Sequence, residues 1–247
     1  MDKIFRALKQ SFQACGNPRI LFLLFLPFML AVFVGLVLFF TLGTWWITAA
    51  STGIEQSFVM QYISEKWNIL SSDSAASVSY FFVLIVTILL LIPFSYLVAV
   101  ILVSLVLLPF ILRILEKKDY PSLDKKRGGS FSGSLWNTLK VSVIYLVALS
   151  GTLFLWLVPG FAIVIPLLLS AYLNKNLFVY DVLEEFASVE ERQRIEKENR
   201  GLLYGLGVIL GLINYVPLAF VVAPTFASLA YSYFCLNALK DLRENRP

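Results

Sequence analysis

Gly16-Asn17-Pro18-Arg19 holds the densest anion-binding chemistry in the chain. Asn17 is a favoured helix N-cap and Pro18 suits the first helical position, so the amides of the following turn are left facing outward as a positive end. Arg19 adds a forked cation that grips a tetrahedral oxyanion through parallel hydrogen bonds. Gly16, Asn17 and Arg19 are therefore the candidate binding residues. The same arginine also fits a plain interfacial anchor, its head snorkelling to water from a helix start.

A second set of polar groups comes from interruptions of apolar sequence. Val158-Pro159-Gly160 breaks one long apolar run and Asn214-Tyr215-Val216-Pro217 another. Pro159, Gly160, Asn214 and Pro217 are candidate pore-lining residues, through freed carbonyls and the Asn214 amide. The alternative is a helix break satisfied by neighbouring helices.

Other chemistry is excluded. Without histidine, the chain lacks a Ser/His/Asp triad, a His-bearing zinc site and an H-E-x-x-H protease motif. Cys15 and Cys235, the only two cysteines, stand near opposite ends and read as packing residues. No G-x-x-x-x-G-K-[ST] loop occurs, so this chain alone drives no ATP-powered pump. Neither an enzyme nor a cofactor or metal is expected. The net charge of +4, with no basic aromatic run, makes nucleic acid an improbable partner.

The elements that must position these residues are set by hydropathy. The chain is 59% hydrophobic and only 15% charged, against about 25% charged in soluble domains, which marks an integral-membrane protein. Four stretches carry no Asp, Glu, Lys or Arg: 20–54, 74–112, 141–174 and 201–239. Roughly 20 apolar residues suffice for one crossing. The first two predict long transmembrane helices, the first ending at Trp45 and Trp46 at headgroup level, the second kinked at Pro93 and Pro109.

The other two are each broken near the middle. Pro166 and Pro224 follow seven residues after Pro159 and Pro217, a shared spacing that hints at related units. An arm of 17 residues from Val141 to Leu157 covers about 25 Å, short of a crossing, which favours re-entrant helix pairs. The fold class is thus all-α integral membrane: two long transmembrane helices, two re-entrant (hemi-penetrating) helix pairs and amphipathic surface helices. One membrane domain spans 1–247, with an interfacial helix in 1–19 (Ile4, Leu8, Phe12), long helices in 20–112, helix pairs in 141–174 and 201–239, and cytoplasmic surface helices in 175–200.

Within 175–200, Phe178, Val182 and Phe186 repeat every fourth residue, and Ser188-x-x-Glu191 is a capping box. Asn174 and Asn176 mark a helix exit into the cytoplasm. Gly128-Gly129 through Ser134 reads as a flexible loop, and Gly201-x-x-x-Gly205 and Gly207-x-x-x-Gly211 as close-packing motifs, within the chain or between subunits. Three acids against one base lie between the first two helices, and seven bases against three acids follow the second. The positive-inside rule puts both termini and 113–140 in the cytoplasm. Non-helical backbone at membrane depth needs shielding from lipid, so a homo-oligomer is expected.

The order of local patterns carries a likeness. Asn17-Pro18 with Pro27; Leu107-Leu108-Pro109-Phe110; Leu157-Val158-Pro159-Gly160 with Pro166 and Ser170-Ala171-Tyr172; and Val216-Pro217 with Ala223-Pro224 and Ala227 together resemble the CysZ-type sulfate permeases and the wider etoposide-induced-protein family. The resemblance covers nearly the whole chain. It implies two long helices with two hemi-penetrating pairs, and an oligomeric permease or channel in a bacterial inner (plasma) membrane. Its partner would be a small inorganic anion, sulfate or a related oxyanion, taken in for cysteine synthesis. Where sulfate-type members carry two consecutive arginines, this chain has Leu21 and Phe22, with Arg19 two residues earlier. The alternative within the family is a non-transporting structural or adaptor protein, since a fold alone does not fix function.

Overall fold

A computed structural model describes residues 2–57, 62, 72–216 and 219–244. The described residues are almost entirely helical, with no strand. Four helical runs are long and apolar enough to cross a membrane by length and composition: Pro18–Glu55, Pro93–Asp119, Phe131–Trp156 and Pro159–Phe186. By contact the chain divides into two units, Met1–Phe28 with Ala99–Pro247, and Met29–Val98.

The first long helix runs α2 (Pro18–Leu38), a π-helical turn (Phe39–Gly43) and α3 (Thr44–Glu55). It does not end at Trp45-Trp46 as the sequence suggests. Both tryptophans are exposed on α3; interfacial aromatics mark depth, but they break no hydrogen bond and so end no helix. The second run is α4 (Ser72–Leu102), a π-helical turn (Val103–Leu107) and α5 (Leu108–Asp119). Pro109 has no N–H to offer and its ring crowds the preceding turn. The backbone answers by widening, and the Leu108 amide reaches back five residues to the Val103 carbonyl. In the Met29–Val98 unit, Gly35 presents its bare backbone to Ser95: a Cβ there would stand 3.6 Å from the Ser95 Oγ.

The larger unit holds α1 (Asp2–Ala14), α6 (Phe131–Thr152), α7 (Pro159–Phe186), α8 (Val189–Glu198), α9 (Arg200–Ile213) and α10 (Ala223–Glu244). Its core is the outer half of α7 against α10, where Phe178, Val182, Phe186, Tyr231 and Leu236 are fully buried. The break at Val158 is as the sequence indicates: after a 3₁₀ turn at Leu153–Leu157, Val158 is extended and Pro159 starts α7. The arms, however, overrun the charge-free window. Lys140 lies exposed inside α6, and Lys175 lies inside α7, paired at 3.3 Å with Glu196. A charge with water or an acid beside it does not stop a helix, so windows without charge undercount helix length.

For the same reason Asn174 and Asn176 mark no helix exit. Both sit mid-α7, the Asn176 amide donating to the Tyr172 carbonyl at 2.8 Å and its carbonyl accepting from Asn137 at 2.9 Å. Residues 175–186 are thus buried continuation of α7, not a surface helix, while the capping box at Ser188 and Glu191 starts α8 as expected. On α1 the expected stripe of Ile4, Leu8 and Phe12 is split. Ile4, Ala7, Ser11 and Ala14 are buried, and Phe5 and Phe12 are exposed. Small residues let α1 lie close to α10, and the bulkier rings turn away. Pro27 leaves the Leu23 carbonyl without its helical donor, and Thr225 of α10 covers the gap, its hydroxyl 3.5 Å from that carbonyl and 3.4 Å from that of Leu24.

Gly128 and Gly129 are packing positions rather than flexible ones. A Cβ on Gly128 would meet the Ala187 carbonyl at 2.5 Å, and one on Gly129 the Glu184 side chain at 2.3 Å. The loop runs alongside the end of α7, with the Gly128 amide on the Ala187 carbonyl at 2.9 Å. Ser130 caps α6 by accepting from the Gly133 amide at 3.2 Å.

Candidate functional site

α1 stops at Ala14, and the chain turns through Gly16 and Asn17 with amide bonds to Gln13 and Ala14. Asn17 is the N-cap: its Oδ1 accepts from the Arg19 amide at 3.0 Å, and its carbonyl takes the Leu21 amide at 2.9 Å. Pro18 has no amide, so the cap consumes most of the donors the helix start would offer. The positive charge of the site therefore rests on the Arg19 guanidinium more than on the backbone.

Arg19 does not stand alone. It lines a cavity of about 580 Å³ with Pro18, Phe22 and Leu23 of α2 and Phe110, Arg113 and Ile114 of α5. The Arg113 guanidinium lies over the Phe110 ring at 5.9 Å. Among the described residues no carboxylate pairs with either arginine, whereas Lys125, Lys126, Lys175 and Arg243 all hold acids. Glu116, three residues beyond Arg113, is taken by Lys125 at 2.6 Å, and Lys125 also holds Glu185 at 2.7 Å. Burial alone would lower the Lys125 ammonium, but its hydrogen bonds to Glu116 and Glu185 outweigh this and push it above its usual range. Lys125 and Lys126 are thus committed to structure within the basic loop.

The two helix breaks come together. Tyr215, just past the end of α9, donates its hydroxyl to the carbonyl of Ile163, the fifth residue of α7, at 2.7 Å. Pro159 and Gly160 are exposed there, with nothing near a Cβ placed on Gly160. The Asn214 Oδ1 is buried and accepts no hydrogen bond from the described residues. Pro217 lies outside the described residues. The breaks and the Arg19 cavity have no lining residue in common.

Two features escape sequence reasoning. Arg113 is the first charge after the second apolar stretch, as Arg19 is the last before the first. The signal lies in the charge balance, since the positive-inside rule puts both arginines on the cytoplasmic side. The other is Asp181. Ser104, in the π-helical turn, and Ser134 of α6 both donate to its carboxylate, Ser134 at 2.6 Å. These three line a cavity of about 320 Å³ together with Glu184 and Arg127.

Gly-x-x-x-Gly resolves unevenly. A Cβ on Gly207 would meet the Tyr231 hydroxyl at 2.7 Å and Ala171 at 3.0 Å, and one on Gly211 would meet Leu167 at 2.7 Å. Gly201 faces open space and Gly205 only approaches Ile4, at 3.7 Å. Only the second motif brings helices into close contact within the chain.

Neither a curated protein nor a solved structure matches the chain. The family model described as Sulfate transporter CysZ/Etoposide-induced protein 2.4 matches residues 7–224. With that match spanning most of the chain, and with long apolar helices among the described residues, this protein belongs to the CysZ/etoposide-induced-protein family.

Proposed function

We propose that the chain is a CysZ-like permease or channel for a small inorganic anion, sulfate or a related oxyanion, in a bacterial inner membrane, serving sulfate assimilation and cysteine synthesis. The observation that carries this reading is family membership over residues 7–224. What supports an anion as cargo is Arg19, a guanidinium at the start of an apolar helix with no carboxylate beside it among the described residues. Capture there trades part of the anion's hydration for charged hydrogen bonds, each worth about 1.5–3 kcal/mol. The onward path runs past the paired breaks, where Asn214, Pro159 and Gly160 offer amide and carbonyl groups. Transport is passive or weakly coupled, since the sequence carries no nucleotide-binding loop.

In this reading the termini face the cytoplasm, α6–α7 and α9–α10 are hemi-penetrating pairs, and copies of the chain assemble to shield the exposed backbone near Val158 from lipid. The chain performs no catalysis. The test is uptake of radiolabelled sulfate into liposomes holding the purified protein, with competing oxyanions. Saturable, competed uptake is expected. Folded, correctly inserted protein that passes neither sulfate nor any competitor would reject the permease and leave the adaptor role.

A further inference from the structure

We infer that the seam between α6 and α7 is a hydrated inlet for small cations, headed by Asp181 and lined by the hydroxyls of Ser134, Thr138 and Ser142. These three residues stand four apart on α6 and all are buried, so they form one row along a single helix face. α7 runs antiparallel against that face: Ser134 donates to Asp181, and Asn137 donates to the Asn176 carbonyl, nearer the start of α7. Thr138 and Ser142, 4% and 8% exposed, have no hydrogen bond to their hydroxyls among the described residues. The usual outlet for a helical hydroxyl is a carbonyl in the preceding turn, as Ser11, Thr152, Ser228 and Ser232 show. Thr138 and Ser142 do not take it.

A buried hydroxyl without a protein partner loses its hydration outright, and water is the partner that restores it in a polar seam. The spacing suits water. Side chains four apart on a helix face lie about 5–6 Å from each other, a gap that one water bridges with two hydrogen bonds of about 2.8 Å. Ser134 gives its proton to Asp181 and keeps an oxygen that accepts, so the row continues from it as a single file of hydroxyls and waters. The file opens into the cavity of about 320 Å³ that Ser134 and Asp181 line. Charge at that mouth selects what enters. Asp181, Glu184 and Glu185 line it against Arg127, the only base among its described lining residues, and Lys125 takes Glu185 at 2.7 Å. Carboxylates at a narrow mouth concentrate cations and repel an oxyanion. The inlet shares no lining residue with the Arg19 cavity, and it stands apart from the anion-permease reading.

The experiment places Ser142→Cys in the full chain, in a Cys15→Ser background, in nanodiscs. Two thiol probes are used: the silver ion, a water-sized cation, and dicyanoaurate, a linear anion. Modification is followed by mass spectrometry. Cys235, a free thiol that is fully buried, is the dry control within the same molecule. Silver should modify Ser142→Cys at least about tenfold faster than Cys235, which is reached only when the core opens. Dicyanoaurate should leave it unmodified. Adding Asp181→Asn should slow silver by about tenfold, since the carboxylate concentrates cations at the mouth. Thr138→Val keeps the shape and removes the hydroxyl; it should not raise the thermal midpoint, because a hydroxyl with water beside it is already satisfied. If silver reaches Ser142→Cys no faster than Cys235, or Thr138→Val raises the midpoint, the row is dry and the inlet is wrong. If silver reacts but Asp181→Asn leaves its rate unchanged, or dicyanoaurate reacts as well, water enters without selection by Asp181 and the cation inlet is overturned. Sulfate uptake enters none of these readouts, so the permease reading stands or falls separately.

Discussion

Arg243, in the last turn of α10, grips Glu191 at the third position of α8, with Nη2 to Oε2 at 3.0 Å and Nε to Oε1 at 3.2 Å. Glu191 is fully buried and also takes Lys126 at 2.8 Å and the Ser188 amide at 3.0 Å. One carboxylate therefore ties the basic loop, the start of α8 and the end of α10. Burial alone would raise its pKa, but the bonds from Arg243, Lys126 and Ser188 outweigh this and hold it at about 2.

Since the folded value lies below the usual 4.5, the unfolded chain takes up this proton first as pH falls. The stabilisation is full above about pH 4.5 and is lost towards pH 2. Glu191→Gln keeps the capping-box geometry and removes the charge, leaving Arg243 and Lys126 uncompensated. A cost of about 3–5 kcal/mol is expected, read as a lowered thermal midpoint in detergent, together with a flatter acid profile than the parent. A midpoint within a degree of the parent would show that the knot is not electrostatic.

Gly207 and Gly201 have the same local motif and different surroundings. Gly207→Ala forces a methyl onto the Tyr231 hydroxyl, which is itself bonded to the Leu203 carbonyl at 3.0 Å inside a fully buried side chain. Overpacking of this kind costs about 1–3 kcal/mol. Gly201→Ala meets open space within the chain and gains helix propensity, so it should be neutral or stabilising by up to about 1 kcal/mol. Thermal midpoints of the two variants check this. Loss of oligomer by Gly201→Ala would instead place its face between subunits.

The difference between these glycines shows where sequence reasoning stops. Asn17, Ser188 with Glu191, and Val158-Pro159 could be read in advance because each cap or break is decided within four residues by local hydrogen bonding. Helix ends keyed to charge fail at Lys140 and Lys175, because a charge in a helix needs only a partner or water, and Glu196 lies 21 residues away from Lys175. The buried face of α1 is not legible locally, because α10, over 200 residues later, selects small side chains over large ones. That Arg19 and Arg113 line one cavity is likewise set by the fold, which single-chain periodicity does not encode.

Asp181 is a carboxylate held by hydroxyls, with no cation paired to it among the described residues. Ser104 and Ser134 both donate to it, from the π-helical turn ahead of α5 and from α6. Asp181→Asn preserves the shape, accepting from one serine and donating to the other, and should cost under about 1 kcal/mol. Asp181→Ala strands both hydroxyls and should cost about 1–3 kcal/mol. Thermal unfolding of the pair distinguishes shape from charge: equal damage from Asn and Ala would mean that the negative charge itself is required there.

The last prediction concerns depth. α9 starts at Arg200 and has 14 residues, so it reaches about 21 Å along its axis, short of a hydrocarbon core of about 30 Å. Tyr215 at its end bonds Ile163 near the start of α7, so the α6–α7 break lies beside the end of α9. On the proposed hemi-penetrating reading, the length of α6 and α7 extends outward from the near face, where Ser130 and Ala187 lie beside the basic loop, rather than through the far one. Gly160→Cys, at an exposed position with room for a side chain, in a Cys15→Ser background, should resist a membrane-impermeant maleimide added from the side opposite the termini. Tyr62→Cys, exposed between the first two long helical runs, should be labelled from that side and serves as the positive control. Labelling of Gly160→Cys from the far side, at a rate comparable with Tyr62→Cys, would make α6 and α7 full crossings and end the hemi-penetrating reading for both pairs, because the Tyr215 bond makes them share one depth.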